Sequence, residues 1–359
     1  MTVERRGGAV LRLPERPADE VPGAGPLTPL LTDPTVTDVL VNGAEVWVDR
    51  GVGLVRSRIR IGGPDQVRRL AQRLASGAGR RLDEGCPFVD ARLADGTRLH
   101  AVLPPIAVNG PYLSLRTFRL RGFSLGGLVE AGTVSAAGAG LLAAIVAARL
   151  AYLVTGGTGA GKTTILSTLL GQVRPDERIV LVEDASELRP EHPHVVALQA
   201  RTSNVEGAGE VGLRALVRQA LRMRPDRLVI GECRGPEVTD LLGALNTGHE
   251  GGAGTLHANA PRDVPARLEA LGLLGGLTRE ALHAQLAAAL QLVIHVRRQE
   301  NRERVVEQVC LLVPDSGQRL VTVLPAWHRA SGPGPGADAL ARLLVGRGVA
   351  VPDVLGVRP

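Results

Sequence analysis

The sequence predicts an α/β protein, a large core of alternating strands and helices preceded by a smaller α+β domain. Three observations predict it. From about residue 135 onward, short apolar runs alternate with stretches of helical period, the pattern of a parallel sheet covered by helices. Between about 30 and 118, strand-like runs dominate, separated by turn pairs such as Asn42-Gly43 and Asp95-Gly96. One strand-to-helix junction carries Gly156-Gly157-Thr158-Gly159-Ala160-Gly161-Lys162-Thr163, which fits G-x-x-x-x-G-K-[ST].

Residues 1–26 are rich in Pro, Gly, Arg and Glu without periodicity and read as a flexible arm. A compact α+β domain over 27–118 follows. Its strands are expected at 38–42, 46–48, 54–61 and 112–118, with a helix over 64–75 that places Val67, Leu70, Ala71 and Leu74 on one face. The turn at Asp95-Gly96 joins 88–93 and 98–103 into a hairpin. Residues 119–134 read as a linker, in which Ser124 is placed to cap a short helix; Ser135 is placed to cap a longer one over 136–150.

The core is expected over 135–328. Tyr152-Leu153-Val154 is a short buried strand, and after the glycine loop Ile165, Leu166, Leu169 and Leu170 form one helical face. Strands follow at 178–182 and 227–230, both ending in acids, and at 255–257. A helix between the first two shows Leu213, Leu216, Val217, Ala220 and Leu221 on one face. Pro236 opens another helix with Val238, Leu241, Leu242 and Leu245 on its apolar side. A helix over 278–290 leads into a hairpin of 292–296 with 305–313. Residues 329–359, beginning with a Gly/Pro joint, read as a flexible tail with one short helix.

Composition narrows the partners. Aromatic residues make up only 2% of the 359, so the cores must be built from Leu, Val, Ala and Ile. A net charge of +6 admits a nucleic-acid or anionic-membrane partner. The arginines, however, are scattered among 36 acids without aromatic–basic interleaving, so there is no strong signal for nucleic acid. Three cysteines far apart, with no C-x-x-C pair, exclude a zinc knuckle and fit a reducing cytosol. No apolar leader is present, and the most apolar segment, 136–148, is too short to span a bilayer, so a cytoplasmic protein is expected.

One count sharpens the glycine-loop reading. Of 42 basic residues, 41 are arginine and one is lysine, Lys162. A loop wrapped round a phosphate has room for a slim ammonium but not for a planar guanidinium. The glycines let successive N–H groups turn inward around an anion at the positive end of a helix. The whole run Gly156, Gly157, Thr158, Gly159, Ala160, Gly161, Lys162, Thr163 and Thr164 is therefore the candidate triphosphate cradle. Lys162 would reach the β- and γ-phosphates of ATP, and the Thr163 hydroxyl would ligate Mg²⁺.

Ligands of a parallel α/β sheet gather at the carboxyl ends of its strands. Three further strand ends carry functional groups: Glu183-Asp184-Ala185-Ser186-Glu187, Gly231-Glu232, and Thr255-Leu256-His257. ATP hydrolysis needs a carboxylate to orient a water and charge to balance the metal and phosphates. Glu187 is the candidate for the water, with Glu183 and Asp184 orienting its loop. Glu232 stands beside Arg234 and His257 ends a strand, while His249 sits in a flexible turn. Taken singly, Glu232 is also readable as a surface acid and His257 as a capping histidine.

The stretches RIVLVEDASELR, RTSNVEGAGEVGLRALVRQALRMRPDRLVIGECRGPE and ALNTGHEGGAGTLHANAP resemble the secretion ATPases of type II and type IV systems. The nearest likeness is to the CpaF-like branch that assembles tight-adherence (Flp-type) pili, and it runs from about Leu30 to Leu324, including TDVLVNG and LSLRTFR. The resemblance implies a RecA-like core and a hexameric homo-oligomer docked on inner-membrane platform proteins. It also implies an acidic box at Glu183 to Glu187, a Walker B segment ending in Glu232 that holds the Mg²⁺ water shell, and a histidine box from His249 to His257. Arginines of the first domain, matched here by Arg92, Arg98 and Arg116, would reach the phosphates, in part across a subunit boundary, with Arg201 as a further candidate. The strand before Glu232 ends in glycine, as is usual in this family, leaving one carboxylate where many phosphate-loop proteins have two.

The expected function is an ATP-driven motor for pilus assembly or secretion. A DNA-translocating ATPase of a conjugation or uptake system is the alternative, and a nucleotide-gated scaffold without turnover is a second.

Overall fold

The structure, a computed structural model, describes residues 23–51, 53–117, 122–201, 209–301, 303–315, 317 and 320–357. The chain divides into two compact units, Met1–Arg119 and Leu120–Pro359.

In the first unit a short helix α1 (Thr28–Leu31) precedes strands β1 (Asp38–Asn42), β2 (Glu45–Asp49) and β3 (Leu54–Arg60). Helix α2 (Pro64–Gly77) and strands β4 (Phe88–Arg92), β5 (Arg98–Val102) and β6 (Tyr112–Arg116) follow. The strands form one antiparallel sheet in the order β3-β2-β1-β6-β5-β4. Strict alternation buries Val39, Val41, Val46, Val48, Leu99, Ala101, Leu113 and Leu115 with Val67, Leu70 and Leu74 of α2. Ala24 and Leu27 are fully buried in the same core, so the packed chain already includes part of the expected arm. Residues 1–22 lie outside the described residues.

The second unit starts with α3 (Leu125–Glu130) and α4 (Ala136–Ala147). Ser124 and Ser135 cap them as the sequence predicts, each hydroxyl accepting from the N–H three residues on at 3.0 Å. Leu128 and Val134 are buried in this unit's core, so most of the expected linker belongs to the larger domain, and residues 118–121 are outside the description. Then come β7 (Tyr152–Gly156), α5 (Lys162–Leu170), β8 (Ile179–Glu183), β9 (Val195–Gln199), α6 (Leu213–Ala220), β10 (Arg227–Cys233), α7 (Glu237–Asn246) and β11 (Ala253–His257). The chain continues through α8 (Val264–Leu274), α9 (Arg279–Ala289), β12 (Leu292–Arg298), β13 (Arg304–Pro314), β14 (Val321–His328), β15 (Gly332–Pro333) and α10 (Ala337–Gly346).

These strands make a sheet in the order β15-β14-β13-β12-β7-β11-β10-β8-β9. From β12 to β9 the pairing is parallel, and from β12 to β15 it is antiparallel. Alternate residues of each central strand feed two cores. Val154, Leu181, Val229 and Ile294 face one that includes α4, α5 and α10; Leu153, Val182, Ile230 and Val293 face the other, with α6 to α9. Both faces being covered, the core is the α/β architecture that the sequence predicts.

The expected flexible tail is not one in the described residues. Ala337, Leu340, Ala341, Leu344 and Leu355 are buried in the core with α4 and β13, so 329–357 packs as part of the domain. Strands β9, β14 and β15 and helices α1 and α8 are additions to the sequence reading. Strand β9 is a half-exposed edge strand without clean alternation, and α8 follows Pro261 and carries Pro265 in its first turn.

Candidate functional site

The parallel strands put their carboxyl ends along one edge of the sheet, and the register shows what meets there. His257, the last residue of β11, pairs with Gly156, the last of β7, while Cys233 of β10 lies beside Leu256. Glu183 ends β8 beside Gln199 of β9. The glycine loop, His257, Glu232 and Glu183 thus follow one another along the edge.

The loop between β7 and α5 needs its glycines. A β-carbon on Gly156 would stand 2.3 Å from the Val296 carbonyl oxygen, so only glycine lets β7 leave the sheet past β12. Gly159 and Gly161 take left-handed φ values of 71° and 98°. Ala160 is buried, Thr158 is exposed, and Thr163 and Thr164 are half-buried in the first turn of α5. The Lys162 ammonium donates to the Gly156 and Gly157 carbonyls at 3.1 and 3.0 Å. Burial holds its pKa below the usual lysine range, the Glu232 charge opposes that, and the Arg234 charge adds to it.

Glu232 and Arg234 form an ion pair at the end of β10. The loop behind them is braced by Glu237, whose buried carboxylate accepts from the N–H groups of Arg234 and Gly235 at 2.6 and 2.7 Å. Gly231 explains why no aspartate precedes Glu232: a β-carbon there would lie 2.7 Å from the Glu183 side chain, which fills that space. Glu183 is buried. One of its oxygens accepts from the N–H groups of Glu187 and Leu188, both at 2.9 Å, and the other has no hydrogen-bond partner among the described residues. Burial raises its pKa, with the two backbone donors opposing. Glu183 therefore shapes the loop that carries Asp184 and the exposed Glu187.

Two expected members are not brought together with the rest. His249 lies in the turn after α7, its ring 3.2 Å from the Ala244 carbonyl, at the amino end of β11. The length of that strand, about 13 Å, separates it from His257. Arg201 lies just past β9, bonded to Gly209 at 2.6 Å, four strand spacings or about 19 Å across the sheet from β7. The residues beyond it, 202–208, are outside the described set. Arg92, Arg98 and Arg116 lie in the first unit on directly paired positions of β4, β5 and β6, forming one cross-strand row with Asp38. Asp90 holds Arg98 through two hydrogen bonds at 3.2 and 2.8 Å, and Asp38 lies 3.8 Å from Arg116.

Sequence reasoning missed four neighbours of the loop and strand ends: Ser167, Glu237, His295 and Arg304. Ser167 accepts from the Arg189 N–H at 3.2 Å, His295 meets Thr155 at 3.0 Å, and Arg304 donates to the Gly159 carbonyl at 2.9 Å. Only His295 left a signal, a lone polar residue within the apolar run LVIHV. Among the described residues no group of three or more His, Cys, Asp or Glu is arranged to hold a metal ion, and no helix is long and apolar enough to cross a membrane.

Residues 20–319 match the profile of the family described as type II/IV secretion system protein. A Mycobacterium tuberculosis protein assigned provisionally to conjugal transfer is 57% identical over 91% of this chain and 95% of its own. The type IV secretion system protein PtlH of Bordetella pertussis is 31% identical over 78% of this chain and 92% of its own. Among solved structures, the pilus retraction motor PilT with bound ADP superposes with a TM-score of 0.55 at 23% identity, covering 79% of this chain and 81% of that one. The Legionella pneumophila ATPase DotB gives 0.55 at 20% identity, with 80% of each chain covered. At those identities the two structures show a shared fold, the RecA-like core with a phosphate loop. The match to the profile over most of the chain and the close relative together place this protein in the type II/IV secretion system family.

Proposed function

We propose that this protein is an ATP-hydrolysing motor, working as a hexameric ring, that powers pilus assembly or secretion at the cytoplasmic membrane. The observation that carries this reading is the convergence of the chain's one lysine with Glu232 and Arg234 at the carboxyl edge of a parallel sheet. The donor set fits ATP with Mg²⁺. A β-carbon added at Gly157 or Gly159 would meet nothing within 4 Å, so the loop has room around it, and the Thr163 hydroxyl and Glu232 carboxylate supply hard oxygen donors. Bound Mg²⁺ would offset charge on the β- and γ-phosphates.

In this reading Lys162 would leave the Gly156 and Gly157 carbonyls for the phosphates, and Thr163 and Glu232 would supply the oxygen donors for the metal. Glu187 orients the attacking water, on a loop that Glu183 fixes. His257 stands next to Gly156 and completes the rim. Arg92, Arg98 and Arg116 share a cross-strand row in which Asp90 holds Arg98 and Asp38 lies beside Arg116; to contact phosphate they would exchange those partners for a nucleotide, for which a neighbouring subunit is one route. Work would come from closure around the nucleotide. The CpaF-like, Flp-pilus assignment and docking on inner-membrane platform proteins rest on the sequence resemblance.

Conjugal transfer is the second reading, favoured by the provisional assignment of the 57% identical relative and by the conjugal transfer protein TrbB of Rhizobium radiobacter, 28% identical over 78% of this chain. Phosphate release by the purified protein, alone, with vesicles and with DNA, separates the readings. A motor requires release that Lys162→Ala abolishes; wild-type release no greater than that of the variant in every condition rejects it. Stimulation by DNA that weakens with salt favours conjugal transfer.

A further inference from the structure

We propose that Arg304 is a positioning residue for the phosphate loop, and that the hairpin of β12 and β13 sets nucleotide affinity through it; the inference rests on the nucleotide reading above. The hairpin touches the loop at three successive points. His295 of β12 meets the Thr155 hydroxyl at 3.0 Å, one residue before the loop. The Val296 carbonyl closes on Gly156, where a β-carbon would stand 2.3 Å away. Arg304, at the start of β13, donates its Nε–H to the Gly159 carbonyl at 2.9 Å, and its Cδ covers Gly161, where a β-carbon would stand 3.2 Å off.

The third contact falls where the loop has least stiffness of its own. Gly159 and Gly161 have left-handed φ, the conformation that glycine reaches without strain, and glycine is also the residue whose peptide planes rotate most freely. A loop that cradles an anion works only while its N–H groups point at the ligand, so the rotation of the Gly159 peptide has to be restrained. Among the described residues, Lys162 donates to the Gly156 and Gly157 carbonyls of this loop and Arg304 to that of Gly159. Lys162 is the group committed to the phosphates, so its contacts with the loop are given up on binding. Arg304 comes from 145 residues away in sequence and is anchored in a different strand, so its hold does not depend on the ligand.

The chemistry also selects arginine. The donor is the inner Nε–H, fixed in the guanidinium plane one bond from the methylene that lies on Gly161. Lysine has no donor at that depth, and its ammonium would have to fold back to reach the same carbonyl. A charge-assisted hydrogen bond from a planar donor holds both distance and direction of its acceptor.

The test uses the full-length protein and the variants Arg304→Ala and Arg304→Lys, reading labelled-ADP binding, phosphate release and backbone deuterium exchange. Arg304 is exposed, so neither variant is expected to disturb folding. The expected result for Arg304→Ala is a Kd for ADP and a KM for ATP each raised about tenfold with kcat within about twofold. Exchange at residues 156–161 of the nucleotide-free protein should quicken about tenfold while that of β10 stays unchanged. Arg304→Lys should recover less than half of the loss, on a logarithmic scale. Unchanged exchange at the loop, or a fall in kcat at unchanged KM, overturns the proposal. If the wild-type protein neither binds nor hydrolyses nucleotide, the nucleotide reading falls, and the exchange comparison still decides whether Arg304 restrains the loop.

Discussion

The Thr155 hydroxyl and the His295 Nδ1 stand 3.0 Å apart, buried where β7 gives way to the glycine loop. Burial holds the imidazole below its usual range; nearby Glu307 and Asp263 oppose this, while Arg297 and Lys162 add to it. The native protein therefore keeps His295 neutral, whereas the unfolded chain takes up the proton near pH 6.5. Below that pH the unfolded state binds more protons, so this residue's contribution to stability is lost as pH falls. Melting temperatures of the wild type and His295→Asn between pH 7.5 and 5.5 should show the steeper acid decline in the wild type. Parallel curves would remove His295 from the account.

Lys162 should not be replaceable by the residue that supplies every other cation in the chain. Its ammonium reaches two carbonyls of the loop at 3.1 and 3.0 Å, a space shaped for a narrow head group. Lys162→Arg preserves charge yet should lower phosphate release at least about a hundredfold, read at saturating ATP.

Glu183 separates two effects that one substitution usually confuses. Its raised pKa means that the native state resists the charged form, a penalty that grows as pH rises above the ordinary carboxylate value of 4.5. Glu183→Gln keeps an acceptor for the Glu187 and Leu188 N–H groups and removes the buried charge. It should raise the melting temperature at pH 7.5 by about 2–4 °C and leave turnover within about threefold. Glu183→Ala frees the loop bearing Glu187 and should lower kcat about tenfold.

The two ends of β11 should respond differently. His257→Ala, beside Gly156, is expected to lower turnover about tenfold or more, and His249→Ala to leave it within about twofold. Gly251 shares the His249 end. Its φ is 72°, and a β-carbon would lie 2.1 Å from a guanidinium nitrogen of Arg227, which is buried against Glu177 at 2.6 Å. Gly251→Ala should cost about 3 kcal/mol in denaturant unfolding without changing the KM of the folded fraction.

The glycine loop, the serine caps and the acids at strand ends were legible because each depends on residues adjacent in sequence. The C-terminal segment was not, because glycine and proline have two uses. SGPGPGAD reads as a joint, yet Gly334 and Gly336 are there for closeness: β-carbons on them would stand 2.5 and 3.1 Å from the Pro325 carbonyl. His249 and His257 share one motif, and only the direction of β11 separates them. Glu237 and Arg304 act on backbone groups, an encounter that residue type does not announce.

The solitary ε-amine has a practical consequence. Every other side-chain cation is a guanidinium, which acylating reagents spare, and burial leaves Lys162 a larger share of uncharged, nucleophilic amine than a surface lysine has. An amine-directed probe would thus modify one side chain, at the place where occupancy matters. The rate of that labelling, read by mass, becomes a direct gauge of whether the loop is filled, in purified protein or inside an assembled machine.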